Sequence, residues 1–134
     1  MRDLPGNVRR FELLMYAGIL IDAAALPFPA LSGFPSLTLS IVAFGVGWWA
    51  FVVWLVWLTA RRAKNWSRWL LFALFLLQTA QLVYLAAMLR LLPPALALMI
   101  GVSAIEAAAY YFIFTGDGRQ WFRREALPVD SVFQ

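Results

Sequence analysis

Apolar residues in this chain neither alternate with polar ones nor fall on narrow helical stripes; they run on for about twenty residues at a time. Four such runs stand out: 10–30 ("RFELLMYAGILIDAAALPFPA"), 36–60 ("SLTLSIVAFGVGWWAFVVWLVWLTA"), 67–89 ("SRWLLFALFLLQTAQLVYLAAML") and 94–115 ("PALALMIGVSAIEAAAYYFIFT"). A helix rises 1.5 Å per residue, so about twenty apolar residues match the ~30 Å hydrocarbon core of a bilayer. Strands of a transmembrane barrel would alternate inward and outward residues, and these runs do not. The pattern predicts an all-α polytopic membrane protein, a four-helix transmembrane bundle running up-down-up-down as a single domain over residues 1–134, with 117–134 as a cytoplasmic or interfacial tail.

The breaks between runs agree with this reading. Asn7 and Ser36 are of the type that caps helices one and two. "SGFPS" (Ser32–Ser36), "RRAKNWSR" (Arg61–Arg68) and "LPP" (Leu92–Pro94) supply the turns, with Pro94 suited to a first helical turn. "TGDG" (Thr115–Gly118) ends the fourth run, and Asp117 is placed to cap an amphipathic turn containing Trp121 and Phe122.

Composition strengthens the case for lipid. The chain has 134 residues, 63% of them hydrophobic and 13% charged, against roughly 45–50% and about 25% in soluble domains. Charge then supplies the orientation. Ten of the eleven lysines and arginines fall before run one, between runs two and three, or after run four, leaving Arg90 on the opposite side. Positive residues are retained on the cytoplasmic face, which places both termini there, with a bacterial inner membrane as the expected location. Trp57, Trp66, Trp69 and Trp121 collect near the same edge as Arg61, Arg62, Lys64 and Arg68, and read as interfacial anchors facing headgroups. The basic pI therefore reports orientation in a bilayer, and nucleic acid is not an expected partner.

Candidate chemistry is sparse. The chain has neither cysteine nor histidine, which excludes thiol nucleophiles, thiolate metal sites and imidazole acid–base catalysis. No phosphate-binding loop, metal-ligand spacing or catalytic constellation is present, so no enzyme activity, metal or cofactor is expected. Polar residues at membrane depth are the remaining signal. Glu106 is the only charge between Arg90 and Asp117. It lies roughly 13 Å from the cytoplasmic end of run four, and Asp22 lies roughly 18 Å into run one. Gln78 and Gln81 sit roughly 16 and 21 Å into run three. Ser103, Glu106 and Tyr110 share one helical stripe, as do Gln78 and Gln81. Glu12, a turn inside the first run, is expected to snorkel to the interface or to pair with Arg9 or Arg10.

Polar groups in hydrocarbon must face protein or water. The spacing therefore predicts that runs one, three and four pack their polar stripes together, with Gln78, Gln81 or Tyr110 bonded to Glu106. Run two is then the most lipid-exposed, or a face for a second copy or another membrane protein. A charged acid at a helix centre costs about 2.5–3.5 kcal/mol, which protonation or a bound cation relieves. Two functions follow. The first is a non-enzymatic component of a membrane complex held by the acid/amide seam. The second is a small oligomeric carrier of protons or cationic solutes using Glu106 and Asp22. Trp48-Trp49, at the middle of run two, reads mainly as lipid-facing bulk, with a ligand wall as the alternative.

Overall fold

The computed structural model describes residues 4–32, 38–88 and 93–124, and all regular structure among them is helical. The helices are α1 (Gly6–Ala25), α2 (Pro29–Ser32), α3 (Leu39–Arg62), α4 (Asn65–Met88), α5 (Pro93–Phe114) and α6 (Gly116–Arg124). Three of them are long and apolar enough to cross a membrane: α3, α4 from Asn65 to Ala87, and α5. α1 is nearly as long, but Arg9, Arg10, Glu12 and Asp22 interrupt its hydrophobicity.

The helix limits follow from local chemistry, with three corrections to the sequence reading. The first run stops at Ala25, short of residue 30, because Pro27 and Pro29 end it and α2 forms a separate turn. Asn7 is not a cap: α1 starts after Pro5, and the Asn7 amide instead donates to the Thr115 carbonyl at 3.2 Å, tying the start of α1 to the end of α5. Asp117 falls inside the first turn of α6 rather than ahead of it. Thr38 caps α3, accepting from the Ile41 amide at 3.4 Å, whereas Ser36 lies outside the described residues, as do Arg90 and residues 125–134. Pro93 and Pro94 both fit the first turn of α5, where their missing donors cost nothing.

Glycine is required at the corner between α5 and α6. Gly116 has φ +53°, and a Cβ on Gly118 would fall 2.6 Å from the Phe112 carbonyl oxygen. That tight corner turns α6 back against α1 and α5.

α1 packs against α3 and α5, and α4 packs against the same two helices. The buried core gathers at one end. It contains Val8, Phe11 and Met15 of α1, Leu55, Val56 and Ala60 of α3, Leu71 of α4, Tyr110 and Ile113 of α5, and Phe122 of α6. The described arginines and lysine cluster at this end as well. Arg10 lies over the Phe112 ring at 5.5 Å, Arg62 over Trp57 at 5.3 Å, and Arg68 over Phe122 at 4.4 Å and Phe114 at 4.8 Å. Trp57, Trp66 and Trp69 are exposed beside them, while Trp121 is half-buried. Elsewhere large apolar side chains are exposed along whole helices, including Leu13 and Leu20 on α1, Phe44, Val46 and Trp54 on α3, and Leu76 and Leu77 on α4. Water would make such surfaces an aggregation hazard; hydrocarbon solvates them.

Polar ties hold the packed end. Thr59 and Ser67 share a buried hydroxyl bond of 2.8 Å, and Ser67 donates to the Lys64 carbonyl at 2.7 Å, locking the short turn between α3 and α4. Glu12 does not pair with Arg9 or Arg10. The Arg61 guanidinium reaches it from α3 with Nε at 3.1 Å from Oε1 and Nη2 at 3.3 Å from Oε2, and the Tyr16 hydroxyl donates to Oε1 at 3.4 Å. Arg9 and Arg10 lie on exposed faces of the same helix, whereas Glu12 is buried against α3. Since removing one partner leaves a buried acceptor unsatisfied, Arg61→Leu is expected to cost about 1–3 kcal/mol of stability. Pairing it with Glu12→Leu should restore part of the loss. Melting curves in mild detergent check this; an Arg61→Leu protein as stable as the parent would mean that the pair holds nothing.

Candidate functional site

The site is built where the packed core ends. Tyr110 marks that boundary. Its hydroxyl donates to the Leu71 carbonyl at 2.9 Å and joins α5 to α4. Of the three partners expected for Glu106, Tyr110 is therefore not the one, because a backbone acceptor on the facing helix takes the phenol proton. One turn further from the core, Glu106 Oε2 accepts from Gln78 Nε2 at 3.2 Å, as the amide stripe predicts. α1 meets α5 here at Gly18, a position with room for a small residue. A Cβ at that position would meet Val102 Cγ1 at 3.8 Å and the Glu106 Cγ at 3.9 Å. The Glu106 side chain is therefore set by α1 packing on one side and by the α4 amide on the other.

Above Tyr110 α1 and α5 stay packed, and two spaces that share lining residues lie between them and α3 and α4. The narrow one, about 30 Å³, is lined by Asp22, Trp48, Trp49, Gln78, Glu106 and Tyr110 among others. That volume holds a water molecule or two, and the polar groups to bind them are present. The wider one, about 380 Å³, shares Asp22, Trp48, Trp49 and Gln78 with it and adds Gln81, Met99 and Ser103. Its lining residues lie toward the end away from the arginines, near the start of α3 and α5. Asp22 thus stands where the two spaces meet. It sits one turn before the end of α1, nearer the arginine-poor end than a run reaching residue 30 implied.

All of the expected polar residues line this space: Asp22, Gln78, Gln81, Ser103, Glu106 and Tyr110. Gln81 does so from an exposed position at the wide end. For α3 the alternative reading, a wall at Trp48-Trp49, is the one that matches the lining. Trp48 and Trp49 form an aromatic wall facing the acids, so α3 is a wall of the cavity as well as an outward face. The signal was available in two adjacent indoles at mid-helix, far from either interface, where a polar N–H is costly unless partnered. No lysine or arginine lines either space among the described residues. Nor do the described residues hold a group of three or more His, Cys, Asp or Glu side chains suited to a metal. The site offers two carboxyl groups, two amides, two hydroxyls and two indoles around a small wettable volume. Such a set is chemically suited to holding a proton or a cation and to ordering water.

Gly18→Ala is expected to be tolerated, because the added carbon meets ordinary van der Waals distances. Gly18→Leu should wedge α1 from α5, with a cost of about 1–3 kcal/mol. Thermal unfolding of both variants in detergent checks the seam; equal stability of Gly18→Leu and parent would refute it.

Comparison with family models, with curated proteins and with solved structures returns no match for this chain.

Proposed function

We propose that this chain is a four-span integral membrane protein that binds a proton or a cationic solute at Asp22 and Glu106 and passes it across the bilayer. The observation carrying this reading is the cavity itself. A seam serving only to clasp helices would be closed, whereas this one leaves both acids beside a space large enough for water. On this reading α1 is the fourth span and the helices run up-down-up-down. Its twenty residues reach about 30 Å, and Leu13 to Ile21 between its charged ends are uncharged. The arginine-rich end is cytoplasmic, with an inner bacterial membrane as the setting that suits the charge bias.

A cation carrier needs a site reachable from one side and sealed from the other. The packed end supports the seal, since Phe11, Leu55, Leu71 and Ile113 are fully buried below Tyr110. The wide space supports access from the outer side. One observation favours the accessory-component reading: α3 exposes Phe44, Phe51, Trp54 and Trp57 along one length, a face that suits a second copy or another membrane protein. The two readings are compatible if the carrier is oligomeric, and neither involves bond-making chemistry.

Flux in liposomes distinguishes them. With a cation gradient imposed and a pH-sensitive dye inside, the parent protein should move protons or cations faster than empty vesicles. Glu106→Gln keeps the shape and the Gln78 contact, yet should lower the flux about tenfold or more by removing the exchangeable charge. An unchanged melting temperature together with unchanged flux in Glu106→Gln would refute the carrier and leave the clasp.

A further inference from the structure

We infer that the solute is an aromatic organic cation, and that it reaches the acids sideways from the outer half of the membrane through a groove between α1 and α3; this rests on the cation-binding reading above. A third space, about 450 Å³, lies against the lipid-facing side of α3. It is lined by Leu26, Ser40, Ile41, Phe44, Gly45, Trp48 and Trp49. Phe44, Trp48 and Trp49 also line the wide cavity, so the groove and the acid cavity meet at one aromatic wall.

Three features select the occupant. The first is charge. Asp22 and Glu106 face inward with no described base beside them, so the complementary ligand is positive. The second is size. About 380 Å³ is far more than a proton or a metal ion needs, and lies in the range that accepts a compact organic molecule. The third is the indole pair. Indole is the strongest cation–π partner among side chains, and a flat cation gains both stacking and charge attraction against it. An inorganic ion would leave that wall unused and would remain too strongly hydrated to cross an apolar groove. An organic cation with a delocalised charge partitions to the headgroup boundary and can enter from there.

Gly45 lines the groove. A Cβ there would touch only the Trp49 ring, at 3.7 Å. A larger side chain therefore fits the backbone while filling the passage.

Binding to the purified protein in lipid nanodiscs tests the inference, using ethidium as the flat aromatic cation and tetramethylammonium as a small cation without rings. Ethidium anisotropy should rise on binding, and Asp22→Asn should weaken it about tenfold or more. Trp48→Leu and Trp49→Leu should weaken ethidium by about three- to thirty-fold, and weaken tetramethylammonium, which has no ring to stack, by much less. Trp48→Phe should retain most of the affinity and shows that the loss is not misfolding. Gly45→Leu should slow ethidium association with little change in melting temperature. Acid-dependent binding of tetramethylammonium, with ethidium indifferent to either tryptophan, overturns this inference and leaves the cation site standing. An ethidium association rate unaltered by Gly45→Leu overturns the lateral route and assigns the groove to an acyl chain. Failure of both cations to bind sinks the inference and the cation site together.

Discussion

A carboxyl group inside a hydrocarbon layer has to face protein or water, and most of this structure follows from meeting that requirement twice. Asp22 and Glu106 lie on two helices that pack closely against each other. Gly18 lies at their contact, Gln78 supplies an amide to Glu106, and the indoles of α3 close the opposite side. Glu12 meets the same constraint differently. It sits near the arginine-rich end, where a guanidinium from α3 can reach it while remaining half in solvent. One acid is neutralised by a fixed partner. Among the described residues the other two have no basic partner, which sets them apart from the Glu12–Arg61 ion pair.

The packing is asymmetric along the helices. At the arginine-rich end, Phe11, Leu55, Leu71 and Ile113 interdigitate, and the Tyr110 and Thr59–Ser67 bonds satisfy the polar groups among them. Toward the other end the same helices surround water-sized and then ligand-sized space. The acids stand at the change from one regime to the other. A solute reaching them from the wide side meets a floor rather than a channel, so passage requires the floor to open. The ties across that floor include the Arg61–Glu12 ion pair and the Tyr110 to Leu71 bond, and an interhelical hydrogen bond between uncharged groups contributes only about 0.6 kcal/mol on average inside membranes.

Much of the architecture was legible in the residues themselves. Unbroken apolar runs and proline- or glycine-bearing breaks located α3, α4 and α5 within a few residues, because in lipid the backbone has no alternative to satisfying itself in helices. The end of the first run was misjudged. Apolar side chains continue past Ala25, and the prolines that stop the helix outweigh them. Which polar residues gather was also legible, since helical spacing put Ser103, Glu106 and Tyr110 on one face. Who bonds to whom was not. Asn7 reaching Thr115, Arg61 reaching Glu12 and Tyr110 reaching Leu71 all join segments distant in sequence, and depend on which helices become neighbours. The cavity was invisible for the same reason: empty space has no residue of its own, and the Trp48-Trp49 pair was its only trace.

The central claim is that water reaches the acids from the arginine-poor side and stops at Tyr110. The absence of cysteine from the chain allows a direct measurement, because a charged thiol reagent modifies only a thiol that water can ionise. Single cysteines at Ser103, beside the acids, and at Ala109, in the packed end, are compared in sealed vesicles with the reagent outside. The account predicts rapid modification of the cysteine at position 103 when the arginine-poor face is outward, and none at position 109 from either side. A cysteine at 109 that reacts, or one at 103 that does not, would contradict it.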